Sequence, residues 1–178
     1  MLKLKKKSNQ LGFTLTELVV TVVILGIISA IAMPSYRALV VNSEIRATAE
    51  SIRTGLQLAR AEAVKRNSNV RFTLAGRAWT VGCVPATANC PTAIQTKNAS
   101  EGSSSTTTTA TLPAGSTFIT FNSFGTTVGA GQITRITVDS SAIAAGSTGD
   151  LAITVGTGGN PRMCDPNVTT TTDVKFCS

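Results

Sequence analysis

From Phe13 to Met33 the chain reads FTLTELVVTVVILGIISAIAM, 21 residues with one charge among them, and this run restricts the fold more than any other feature. As a helix it is about 31 Å long, which matches the hydrocarbon thickness of a bilayer. The twelve residues before it, MLKLKKKSNQLG, carry Lys3, Lys5, Lys6 and Lys7. Lysines on one flank hold that flank on the cytoplasmic side, so the rest of the chain is expected outside. A secretory signal shares the basic start and the apolar stretch but is cut after the stretch. Here Pro34 and Tyr36 follow Met33, with no small-x-small site. The apolar run is therefore expected to stay on the mature chain, as an anchor or an assembly helix.

The single charge in the run is Glu17. A charged carboxylate at the bilayer centre costs about 2.5–3.5 kcal/mol, less near the ends, and calls for a partner. A seat in the headgroup zone, favoured by the helix dipole, would account for the charge alone. It would not account for its company, the string Gly12-Phe13-Thr14-Leu15-Thr16-Glu17 opening an apolar helix. That string resembles the class III signal of type IV pilins and type II secretion pseudopilins. The resemblance implies that a prepilin peptidase cuts between Gly12 and Phe13, and that Phe13 becomes N-methylphenylalanine. It also implies that the Glu17 carboxylate meets the new amine of a neighbouring subunit during assembly. Two unpaired charges in lipid are each costly, and pairing relieves both.

Pro34 is expected to kink the helix by removing one hydrogen bond, with Gly26 a second weak point. Beyond it the pattern turns amphipathic. Ile45, Ala49, Ile52, Leu56, Ala59 and Ala63 recur at spacings of four and three, which is one helix face. That face is expected to pack on a sheet rather than to line a cofactor groove. Arg46–Glu50 and Glu62–Arg66 stand at i,i+4 and are expected to add at most a few tenths of a kcal/mol each. The helix is expected to end at Arg66, before Asn67-Ser68-Asn69.

Strands are expected at 70–74, from 79, and over 118–124, 132–138 and 151–155, where Val, Ile, Thr and Phe are dense and glycines separate the runs. Many short strands point to one antiparallel sheet or two packed sheets, not to a βαβ fold. The stretch 98–111, NASEGSSSTTTTAT, reads as a mobile surface loop. The four cysteines allow three pairings, four reduced thiols or a zinc site. Without His or a CxxC spacing, zinc is disfavoured. Local pairing, Cys83 with Cys90 and Cys164 with Cys177, is expected because each pair closes a short loop containing turn residues. The second would pin a C-terminal loop starting near Pro161.

The charge of +7 invites a nucleic-acid reading. Removing the four leader lysines leaves 7 − 4 = +3, so most of the basicity reads as a membrane-orientation signal. No catalytic constellation is expected: there is no His, no GxSxG and no phosphate loop, and Asp139, Asp150, Asp165 and Asp173 are scattered. No metal or cofactor is expected either.

The long helix, the many-stranded remainder and the string NPRMCDP at 160–166 resemble the FimU/FimT group of minor pilins, related to H-type minor pseudopilins. The resemblance implies an α+β fold, a long N-terminal helix packed on an antiparallel, β-sandwich-like domain. The division expected is a leader at 1–12, a membrane and assembly helix at 13–33, its amphipathic second half at 34–66 and a β-rich head at 67–178. It implies an inner-membrane precursor with its head in the periplasm, then a pilus subunit that primes or caps assembly near the tip. Its partners would be prepilin peptidase, other minor pilins and the major pilin. Two alternatives stand beside it: a type II secretion pseudopilin, and a DNA-binding minor pilin. FimT relatives carry a GRxR-like basic motif, and the matching stretch, Gly159 to Arg162, offers one arginine, to which Lys175 could add.

Overall fold

The computed structural model describes residues 12–101, 107–142 and 149–177. The chain divides into two compact units, one through Arg37 and one from Ala38. Helix α1 (Leu15–Arg66) contributes to both.

In the first unit every described residue from Gly12 to Arg37 is exposed. By length and composition the apolar part of α1 can cross a membrane. The helix assignment runs through Gly26 and Pro34 without a break.

In the second unit α1 is followed, among the described residues, by eight strands: β1 (Val70–Ala75), β2 (Ala78–Cys83), β3 (Gln95–Lys97), β4 (Thr107–Leu112), β5 (Phe118–Phe121), β6 (Arg135–Ser140), β7 (Leu151–Val155) and β8 (Pro161–Cys164). They form two four-stranded sheets, ordered β3-β2-β1-β5 and β4-β6-β7-β8. Every strand pair is antiparallel. One core joins α1 and both sheets. The helix gives Ile45, Ala49, Ile52, Leu56, Ala59 and Ala63, all fully buried, as the four-three spacing requires. The first sheet gives Phe72, Val81, Ile119 and Phe121, and the second Ile136, Val138, Ile153 and Val155. The Trp79 indole donates to Ser51 Oγ at 3.1 Å, so its polar end is satisfied against the helix.

The helix stops in a Schellman arrangement. Asn67 takes the left-handed conformation at φ 49°. Ser68 N donates to Ala63 O at 3.2 Å and Asn67 N to Val64 O at 3.3 Å, closing carbonyls that the last turn leaves open.

Four sequence expectations need correction. The Ser/Thr-rich stretch is not a loop throughout: Thr107–Leu112 is β4, paired with β6 from Thr107↔Ser140 to Leu112↔Arg135. Threonine is β-branched and suits a pleated, half-buried surface however repetitive the sequence. Residues 102–106 of that stretch lie outside the described ones. The expected C-terminal loop begins as a strand, β8, in which Pro161 takes the first position, where its missing N–H costs least. The Glu62–Arg66 pair forms as its spacing suggests, with Glu62 only 9% exposed and receiving Arg66 Nε and, at 3.3 Å, Lys65 Nζ. The strand expected over 118–124 ends at Phe121, because Asn122–Gly125 closes a turn. That expected over 132–138 starts at Arg135, because the Gln132 side chain is spent on local backbone groups.

Disulfides join Cys83 to Cys90 and Cys164 to Cys177. Arg66 Nη1 donates to Asn89 O at 2.6 Å, tying the first loop to the end of α1.

Candidate functional site

The start of α1 is built by four residues, Thr14-Leu15-Thr16-Glu17, in the S/T-x-x-E pattern of a capping box. Thr14 Oγ1 accepts from Glu17 N at 3.3 Å, and Glu17 Oε2 accepts from Thr14 N at 2.9 Å. A third bond, Thr14 Oγ1 to Glu17 Oε2 at 2.8 Å, closes the ring. Two amides that a helix start leaves unpaired are thus satisfied by the side chains that also carry the site. Thr14 is thus more than company for Glu17, and the spacing of three between Thr and Glu is the sequence signal for its role.

This cap orients the carboxylate. Both of its hydrogen bonds fall on Oε2, so among the described residues Oε1 carries no bond from the chain. Phe13 precedes the cap and is 88% exposed. Phe13, Thr16, Glu17, Val20 and Thr21 line a shallow recess of about 330 Å³. The residue on the far side of the Gly12–Phe13 bond and the buried-charge candidate therefore share one side of the helix start. Such an arrangement can present an anion, held rigidly by its own backbone, to a cation supplied from outside.

The two cations singled out in the sequence lie in the second unit. Arg162 is exposed in β8, and its guanidinium donates to Val174 O. Lys175 is exposed in the C-terminal segment, where its backbone N donates to Asp173 Oδ1. The segment is fastened by Asp165 N to Lys175 O at 2.8 Å and by the Cys164–Cys177 bond. Register places Arg135 and Arg162 on either side of Thr154 in one cross-strand row. Arg135 Nη2 donates to Cys177 O at 3.2 Å, so both arginines hold the C-terminal segment. Both also line a recess of about 650 Å³ with Thr134, Thr157 and Asn160; Lys175 is not among its lining residues. Arg135 went unnoticed in the sequence, since only the pairing of β6 with β7 and β8 reveals the row.

Among the described residues no three His, Cys, Asp or Glu side chains are grouped to hold a metal ion.

Comparison with known proteins gives two family matches. The model of the type II transport protein GspH matches residues 48–159, and that of the prokaryotic N-terminal methylation motif matches residues 7–33. No curated protein sequence matches the chain. The fold is similar to crystal structures of the type IV minor pilin FimU of Pseudomonas aeruginosa in two crystal forms. In the first, identity is 19%, the TM-score 0.53, and the match covers 67% of this chain and 87% of the other. In the second the values are 18%, 0.50, 66% and 90%.

Proposed function

Because this chain belongs to the GspH family and carries an N-terminal methylation motif, we propose that it is a minor pilin that primes or caps a type IV pilus near its tip. The observation that carries the reading is the capped Glu17 beside Phe13. Cleavage after Gly12 creates a cationic amine on Phe13. In lipid that amine and a carboxylate on another subunit each lower the other's cost. The Thr14 cap occupies Oε2, and Oε1 is left to accept from a neighbour's amine. The apolar run through Met33 then holds the precursor in the inner membrane, with the head in the periplasm until assembly. A local loosening of α1 at Pro34 belongs to the same reading.

The test is Glu17→Ala in the full chain. Cleavage is expected to proceed, and the variant is expected to be absent from sheared filaments. Normal incorporation of that variant would remove the assembly role.

The family match itself supports a second reading, a minor pseudopilin that serves protein export. Deleting the chain separates the two. Loss of surface pili and twitching supports the pilus; loss of secreted hydrolases supports export. The Arg135–Arg162 row supports a further role in holding nucleic acid. Duplex DNA binding that weakens with salt and falls in both Arg135→Ala and Arg162→Ala would support it. Unchanged affinity in both would end it.

A further inference from the structure

Phe124 is 82% exposed, the largest apolar side chain left in water in the second unit among the described residues. It is not on a loose segment. Asn122 Oδ1 accepts from Phe124 N at 3.0 Å, from Thr126 N at 3.1 Å and from Thr126 Oγ1 at 3.0 Å. Asn122 N donates to Thr126 O, and Gly125 N to Asn122 O. From outside the turn, Arg60 Nε of α1 donates to Gly125 O at 3.0 Å. Gly159 presses on the same carbonyl so closely that a Cβ there would overlap it. Helix, turn and β7–β8 connection together hold this turn, and the side chain it displays has no partner in the chain's core.

Beside it lies the outward face of α1. Gln57, Ala61 and Val64 are exposed, and with Arg60, Lys65 and Asn160 they line a largely apolar groove of about 470 Å³. The charges along this face are predominantly basic. Arg46, Arg53, Arg60 and Lys65 follow it; Glu50 lies on it too but is paired with Arg46 at 2.9 Å, and Glu62 is turned inward onto Arg66 and Lys65. A rigid aromatic next to a groove is the form of an interface anchor. The basic rim decides its partner. A second copy set face to face would bring like charges together, which costs affinity and selects against self-pairing.

We propose that Phe124 and the Gln57–Ala61–Val64 strip form the docking face for a different pilin-type subunit. That subunit's contact surface is apolar at the centre and acidic at its rim. The proposal rests on the filament reading above and names the partner surface that reading leaves open.

The experiment replaces Phe124 with the photo-crosslinking residue p-benzoylphenylalanine in the full-length chain, in cells that assemble filaments. Adducts are identified by mass spectrometry, and filament recovery is measured in the same cells. The expected adduct is a second chain bearing an N-terminal methylation motif, joined through a segment containing Asp or Glu. Arg53→Glu is expected to lower its yield about tenfold. Phe124→Ser is expected to lower filament recovery about tenfold while leaving thermal unfolding in place, because the residue is 82% exposed and outside the core. Two results overturn the docking face while the filament reading stands: adducts only to copies of this chain, or none at all, with the protein still recovered from filaments. Absence of the processed chain from filaments overturns both.

Discussion

At Gly82 a single methyl group has nowhere to go. The connection after β2 folds back so that Cys83 N donates to Pro91 O and Ile94 N to Val81 O. This lays the Thr92 carbonyl directly over the Gly82 Cα, where an added Cβ would overlap it. Gly82→Ala is expected to cost about 1–3 kcal/mol, read as a lower denaturation midpoint, because backbone must move to admit it. Nothing in the sequence marked this glycine, since the contact joins positions ten apart through a disulfide-closed loop. Glu62 carries a pH dependence. Its carboxyl is held below the ordinary range chiefly by the Arg66 hydrogen bond, with Lys65 adding to it and partial burial opposing. A carboxyl whose folded value is depressed stabilises the fold above its unfolded value, about 4.3, and that contribution disappears as pH falls through the folded value. Thermal unfolding followed from pH 7 to pH 3 should therefore show an acid limb that is shallower in Glu62→Gln. An unchanged limb would mean that the Arg66 contact contributes nothing. The i,i+4 spacing made this pair legible; its burial was not, because that depends on tertiary packing, and Arg66 itself reaches a carbonyl 23 residues away, that of Asn89.

Elements differ in how openly the sequence announces them. Helix α1 was legible to its last residue: the four-three spacing gave its buried face, and Asn67 gave its stop. β1 and β7 were legible from alternating or continuous apolar residues. β4 was not, because four consecutive threonines hide the alternation between a buried Thr107 and an exposed Thr108. β8 was hidden by Pro161, which reads as a breaker but sits at a strand's first position. The C-terminal segment is the element whose stability depends most on one bond. Cys164 and Cys177 are separated by 13 residues, and with Ala152 they form a small buried cluster of their own. Replacing both with Ser is expected to cost about 3 kcal/mol. It should also expose the segment around Val174 to protease before the rest of the head. Cleavage no faster than in the parent chain would show that Arg135, Arg162 and the Asp165–Lys175 bond suffice without the disulfide.

At the scale of the molecule, the start of α1 combines two tasks that a substitution can separate. Gln at position 17 can still accept from the Thr14 amide and so keep the capping box, but it carries no charge. Glu17→Gln is therefore expected to preserve the start of the helix and its cleavage while still failing to enter filaments. Thr14→Ala is expected to lose the cap, worth about 1 kcal/mol, and to incorporate less well than the parent. Incorporation of Glu17→Gln at the parent's level would assign the residue to capping alone. The head could be placed in its fold class from sequence because strand density and the buried helix stripe agree. Its contact surfaces could not be, because Phe124 and Arg135 gain meaning only from neighbours distant in the chain. The most direct measurement is mass spectrometry of the N-terminal peptide of this chain from sheared surface filaments. The account predicts a peptide that begins at Phe13 and carries one added methyl group. A chain recovered only outside filaments, with residues 1–12 still attached, would contradict it.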